Sequence, residues 1–287
     1  MSEQIDSALR WATEQFNVCS ESPRLDAEVL LTVCLKKPRS YLYSHPEQSL
    51  QASCWQEFQA LVTTRLKPTP IAYLLGHREF YSLEFDTSPV ALIPRPETES
   101  LIEQALAIIS ENKIQRVLDL GTGTGNIAIT IKKLCPDIKM VATDIDPSCV
   151  KLARHNATQH QVEIEFICSD WYDKLAGSQA FDLILSNPPY IAAGHPFMAQ
   201  GDLPAEPKLA LSPGESGLEA LETIVRGAPA FLMPGGQIIV EHGYDQQAGI
   251  AGLLTQHGFE NISCTMDLND LPRISQARLI EKDGVTA

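Results

Sequence analysis

Asn187-Pro188-Pro189-Tyr190 is the stretch of this chain whose residue types and spacing point most directly to chemistry. It follows the apolar run Asp182-Leu183-Ile184-Leu185-Ser186, which reads as a strand. The tetrapeptide therefore sits at a strand's carboxyl end, where open α/β sheets bind ligands. Two consecutive prolines fix φ and carry no N–H, so their carbonyls project from a stiff turn. A rigid surface turn would account for a bare Pro-Pro, but not for Asn before it and Tyr after it at a strand end. The Asn187 side-chain oxygen and the Pro188 carbonyl can each accept one N–H of a planar –NH2 group. The nitrogen of such a group is a poor nucleophile because its lone pair is conjugated. Two directed acceptors would turn that lone pair towards an electrophile. Tyr190 can pack over the nitrogen and favour developing positive charge through its π face. Asn187, Pro188 and Tyr190 are the candidate catalytic residues, and the four together, with Pro189, the candidate substrate-binding turn.

A second motif lies upstream. Val117-Leu118-Asp119-Leu120 is a strand running into Gly121-Thr122-Gly123-Thr124-Gly125, and a helix follows from Ile127. Glycines let backbone approach a ligand, and a helix N-terminus offers N–H groups to a negative one. The spacing is neither the dinucleotide Gly-x-Gly-x-x-Gly nor a P-loop, so no triphosphate is implied. Asp144 ends the next strand, about 20 residues past the turn, where an acid can accept from ribose hydroxyls. It could instead cap the following helix, but Asp146, directly before Pro147, is better placed for that. These residues resemble the class I S-adenosylmethionine-dependent methyltransferases. The resemblance implies that Gly121 to Gly125 contact the methionine part of S-adenosyl-L-methionine and that Asp144 holds the ribose. It also implies that Asp170-Trp171, at the next strand end, lie by the adenine, with Asn187 reaching the cofactor as well. For Trp171, ordinary packing between surface and core is the alternative. With this cofactor the electrophile is a sulfonium methyl, and no strong general base is needed before transfer.

The tetrapeptide is shared by enzymes that methylate adenine amino groups and glutamine amides, and alone it does not choose. Other segments do: Pro70-Ile71-Ala72-Tyr73-Leu74-Leu75-Gly76, Glu79-Phe80-Tyr81, Leu92-Ile93-Pro94-Arg95-Pro96-Glu97-Thr98-Glu99 and Glu206-Pro207-Lys208-Leu209-Ala210-Leu211. With these the whole chain resembles the HemK/PrmC-type protein-(glutamine) methyltransferases. Those enzymes modify the glutamine of the Gly-Gly-Gln loop of peptide chain release factors, giving 5-N-methylglutamine and S-adenosyl-L-homocysteine. The resemblance implies release factors as partners and an N-terminal domain that engages them. Arg95 and Glu97 receive no catalytic role; shaping the cofactor pocket or the substrate entrance suits them. The chain's own Gly235-Gly236-Gln237 reads as a helix-to-strand turn, not a substrate.

Around these motifs the chain divides by rhythm. Residues 1–66 read as helices: Ile5, Leu9, Ala12 and Phe16 share one face, Leu25, Val29, Leu30 and Val33 form a second stripe behind Ser22-Pro23, and a third run covers 53–66. Lys67-Pro68-Thr69-Pro70 breaks the pattern. Residues 67–96 are expected to be a connector in which the run 79–85 pairs with 90–93 as a hairpin. From 97 to 287 strand and helix alternate, with strands expected at 116–120, 140–144, 164–168, 183–186, 237–241, 262–267 and 277–281. The expected fold is α/β: a Rossmann-like, doubly wound, mostly parallel seven-stranded sheet forming the S-adenosylmethionine-binding domain, with a small N-terminal helical domain.

Composition bounds the partners. The 287 residues carry 36 Asp and Glu against 22 Lys and Arg, a net charge of −14, which argues against holding DNA directly. No apolar run reaches the ~18 residues of a membrane helix. The acidic opening residues lack the order of a secretory leader. Seven scattered cysteines suggest reduced thiols, and neither they nor the seven histidines suggest a metal site. A cytoplasmic monomer is expected. The competing readings are an adenine-amino methyltransferase and a cofactor-sensing module without turnover.

Overall fold

The computed structural model describes residues 3–67, 69–267 and 269–281. The expectations on Met1 and Ser2, on Pro68 as a pattern break and on residues 282–287 fall outside the described residues.

In α1 (Ile5–Phe16), Ile5, Leu9, Ala12 and Phe16 are all buried on one face. α2 (Pro23–Leu35) opens on Pro23 in its first turn. Its buried face differs from the expected stripe. Leu25 and Val33 are exposed, and Asp26, Ala27, Glu28, Leu30 and Leu31 turn inward. Paired charges explain the rotation. Glu28 accepts from Arg24 Nε at 2.8 Å, Arg39 Nη2 at 2.7 Å and the Tyr43 hydroxyl at 2.7 Å. Asp26 accepts from the buried Arg65 Nε at 3.1 Å. Buried carboxylates persist where such partners satisfy them, and apolar periodicity cannot register them. α3 (Arg39–Ser44), α4 (Ala52–Arg65) and α5 (Ile71–Leu75) follow. α5 lies past the expected break at 67 and packs Ile71, Leu74 and Leu75 on the same core. This first compact unit extends to His77 and includes Ala199–Ala205, where Asp202 accepts from Arg65 Nη1 at 2.8 Å.

The second unit takes in Arg78–Met198 and the chain from Glu206 onward. The hairpin is there, but not as expected. β1 (His77–Phe80) and β2 (Leu83–Asp86) form a two-stranded sheet, so the 79–85 run folds on itself. Tyr81 and Ser82 both take positive φ, 50° and 61°, as a tight two-residue hairpin turn demands. Phe80 and Phe85 sink into the core of the main sheet, and residues 90–93 are irregular rather than a strand.

The remaining elements are α6 (Glu99–Glu111), β3 (Arg116–Leu120), α7 (Asn126–Leu134), β4 (Lys139–Asp144), α8 (Pro147–Gln159), β5 (Glu165–Cys168), β6 (Phe181–Ser186), α9 (Lys208–Leu211), α10 (Glu219–Gly227), β7 (Leu232–Glu241), α11 (Gln247–Gln256), β8 (Phe259–Met266) and β9 (Pro272–Leu279). Seven strands form one sheet in the order β5-β4-β3-β6-β7-β9-β8, parallel from β5 to β7, with β9 antiparallel to both β7 and β8. Alternate residues feed two apolar cores: Leu183 and Leu185 of β6 join one, Ile184 the other. That double burial is why the inner strands read as unbroken apolar runs. Gly235-Gly236-Gln237 lies within β7, where a register irregularity moves the pairing from Phe181–Leu232 to Leu183–Gln237. The motif is thus sheet, not a turn ahead of it. Strand order reverses between β3 and β6, and the crevice above such a reversal is where this architecture takes ligands.

Candidate active site

The glycine-rich turn opens at the carboxyl end of β3. Gly121 and Thr122 both donate their backbone N–H to Thr143 O at 2.9 Å, bending the turn back over β4. Gly121 has φ 74°, a conformation that favours glycine, and the Trp171 indole packs beside it, where a Cβ would be in ordinary contact at 3.4 Å from Cζ3. Gly125 serves a different end. A Cβ on it would meet Ile129 Cδ1 at 2.8 Å and Ala153 Cβ at 3.1 Å. It is consumed by the close packing of α7 on α8. Thr122 Oγ1 donates to Asp119 Oδ2 at 2.6 Å, and burial pushes the Asp119 carboxyl up to about 7.

Above the turn is a cavity of about 350 Å³. Its wall brings together Gly121, Thr122, Gly123, Thr124, Asp144, Asp170, Trp171, Asn187 and Pro189. Of the residues singled out in the sequence, Gly125, Pro188 and Tyr190 are not on that wall. The Asp144 carboxylate is nearly buried and accepts from Gly123 N and Asp146 N, both at 2.9 Å. The carboxylate has lone pairs beyond these two bonds for a ligand hydroxyl. Burial pushes its pKa up. Asp146 caps α8 through Ser148 N at 2.7 Å, which leaves Asp144 free of that role. A buried acid beside a glycine cradle, with an indole on the same cavity wall, fits a ribose-bearing cofactor with an aromatic base.

The tetrapeptide leaves β6 beside this wall. Ser186 Oγ donates to Leu120 O at 2.7 Å, locking the ends of β6 and β3 together. Asn187 Nδ2 donates to Thr98 Oγ1 at 2.9 Å, and Thr98 Oγ1 donates to Glu241 Oε2 at 2.7 Å. The Tyr190 hydroxyl donates to Glu241 Oε1 at 3.3 Å. Burial pushes the phenol's pKa upward, so it stays protonated. Farther on, Gln246 Nε2 donates to Tyr190 O at 3.0 Å and Ile191 N to Leu211 O at 3.0 Å.

The part of the wall formed by residues 90–95 is tied by Glu206, whose buried side chain accepts from Ile93 N at 3.0 Å and pairs with Arg95 Nη2. Sequence reasoning named neither Thr98, Glu206 nor Glu241 as site residues. Thr98 and Glu206 lie inside segments it had singled out. For Glu241 the signal was an acid ending the apolar run Ile238-Ile239-Val240.

Comparison with known proteins adds to this geometry. Two families match, one described as PrmC N-terminal domain over residues 7–76 and one as Methyltransferase small domain over 100–203. A protein named release factor glutamine methyltransferase from Xylella fastidiosa is 43% identical over 256 residues, covering 89% of this chain and 93% of the relative. Its namesake from Shewanella oneidensis is 39% identical over 282 residues, 98% of each chain. Among solved structures, a methyltransferase from Pyrococcus furiosus superposes with TM-score 0.52 at 16% identity, covering 77% of this chain and 98% of that one. That likeness concerns the fold.

Proposed function

The chain belongs to the release factor glutamine methyltransferase family, and from that premise we propose that it methylates the glutamine side-chain amide in the Gly-Gly-Gln loop of peptide chain release factors. S-adenosyl-L-methionine, when bound, supplies a methyl group on a sulfonium sulfur that departs with the carbon–sulfur electron pair. The chain's own residues hold and aim. Gly121 to Thr124 cradle the cofactor's amino-acid end, with Gly125 fixing the helix behind them, and Asp144 accepts from its ribose. Asp170 and Trp171 border the adenine. Asn187 Oδ1 accepts one N–H of the glutamine amide. The Pro188 carbonyl, between two wall residues, is the second acceptor. Both hold the amide nitrogen with its lone pair towards the methyl, and a proton leaves that nitrogen after the N–C bond forms. Tyr190 braces the turn and lends its ring to the charge that develops.

The observation that carries this reading is the Asn187 amide. Asn187 lines the cavity and gives one Nδ2–H to Thr98, which supports its oxygen as the acceptor offered to a substrate there. Residues 1–66 are proposed to engage the release factor, residues 67–96 to join them to the catalytic domain at 97–287, and the chain to act as a cytoplasmic monomer. All seven cysteines are free thiols, as suits a reducing compartment.

Labelled cofactor should methylate a release factor carrying the Gly-Gly-Gln glutamine and leave one with that glutamine replaced by alanine unlabelled. Equal labelling of both would point to another target. Asp144→Ala should weaken cofactor binding by about 1.5–3 kcal/mol, the worth of a hydrogen bond to a charged acceptor. Unchanged affinity in calorimetry would remove Asp144 from the ribose site.

A further inference from the structure

We propose that Glu241 is a positioning residue for methyl transfer, which acts through the Thr98 hydroxyl to hold the Asn187 amide with its oxygen facing the cavity. The inference rests on the function proposed above. Glu241 is not on the cavity wall, and both it and Thr98 are 1% exposed.

The direction of the hydrogen bonds carries the inference. An ionised carboxylate only accepts. Thr98 therefore spends its single hydroxyl proton on Glu241 Oε2, 2.7 Å away. Towards Asn187 that hydroxyl can then only accept, and the atom it faces at 2.9 Å must be the amide nitrogen. Were the acceptor lost, the Thr98 hydroxyl could swing round and donate to Asn187. The amide would then turn over and present N–H groups to a substrate that itself offers N–H. The same carboxylate takes the Tyr190 hydroxyl on its other oxygen. One buried group thus anchors the first and last residues of a turn that Pro188 and Pro189 stiffen between them.

The surroundings make the carboxylate's charge state consequential. Arg273, held by Asp267 Oδ2 at 3.2 and 3.1 Å, favours the ionised form, and Glu97 opposes it. The adjacent His242 is bonded to Ser275 Oγ and Gly243 O, both at 2.8 Å, and burial lowers its pKa, keeping it neutral. Burial raises Glu241 to about 7. A protonated Glu241 can donate to Thr98 and reverse the chain, so transfer should fall as pH drops through that value.

Single-turnover transfer to the release factor, at saturating cofactor and release factor, tests this across pH. Thr98→Val should lower the rate about 10- to 100-fold, the scale of a misplaced catalytic group, with cofactor affinity unchanged. Thr98→Ser should restore what Thr98→Val loses. Glu241→Gln keeps the shape but, like the protonated acid, offers one acceptor and N–H donors, so its rate should stay low at every pH and lose the rise through neutral pH seen in the unaltered enzyme. A Thr98→Val rate equal to that of the unaltered enzyme would overturn the proposal. So would an unchanged pH profile in Glu241→Gln, which decides alone if Thr98→Val does not bind cofactor. If the unaltered enzyme left the release-factor glutamine unlabelled, the functional reading itself would fail, a result separate from either of these.

Discussion

Asn187→Ala should slow single-turnover methyl transfer by about 10²-fold or more, the cost of losing one directed transition-state hydrogen bond. Cofactor binding should be substantially retained, because the glycine turn and Asp144 are untouched and only the Asn187 contact is lost. The variant should fold: Asn187 is half-buried at a strand end, and Ser186 and Gln246 still tie the turn on either side. Asn187→Asp is the more telling companion. It keeps an acceptor towards the cavity but has no N–H for Thr98 Oγ1, whose own proton is already given to Glu241. A second carboxylate near Glu241 also favours protonating one of the two. Partial activity, shifted in its pH dependence, is expected. A near-normal rate for Asn187→Ala would mean that another group orients the amide.

Glu206→Ala should lower the unfolding free energy by about 3 kcal/mol, the lower end for breaking a buried ion pair, since Arg95 remains one-third exposed. The carboxylate has no exposure of its own, and its removal strands Ile93 N as well as the guanidinium. Glu206→Gln should cost less, about 1–1.5 kcal/mol, because the Ile93 acceptor survives and only the charge is lost. Urea unfolding followed by circular dichroism measures both. An unchanged midpoint for Glu206→Ala would show that segments 90–95 and 207–213 hold the cavity wall without it.

The Glu206 pair also shows what was legible in the sequence. Pro94-Arg95-Pro96 and Glu206-Pro207 were both visible as motifs, but nothing local says that residues 111 apart meet. The same holds for Asn187, Thr98 and Glu241. Each is on a readable element, while their junction is a property of the sheet order that brings β6, β7 and the start of α6 together. The inner parallel strands β3, β4 and β6 were readable because burial on both faces makes them near-continuous apolar runs that lead into Gly121, Asp144 and Asn187. The α2 face was misread because Asp26 and Glu28 are buried through partners on other helices. The hairpin was misplaced because Tyr81 and Ser82 take positive φ, a conformation that neither residue type announces. Gly125 looked like Gly121 and Gly123 in the sequence, and only its contacts with Ile129 and Ala153 separate packing from cradle.

The central claim is that the acceptor is an amide nitrogen in a release factor. It is tested most directly by giving the unaltered protein methyl-labelled S-adenosyl-L-methionine together with a release factor and an equal concentration of adenine-containing DNA and RNA, then mapping the label to an atom. The expected result is label on the side-chain nitrogen of the Gly-Gly-Gln glutamine and none on the nucleic acids. Label on an adenine amino group, with the release factor unmodified, would contradict it.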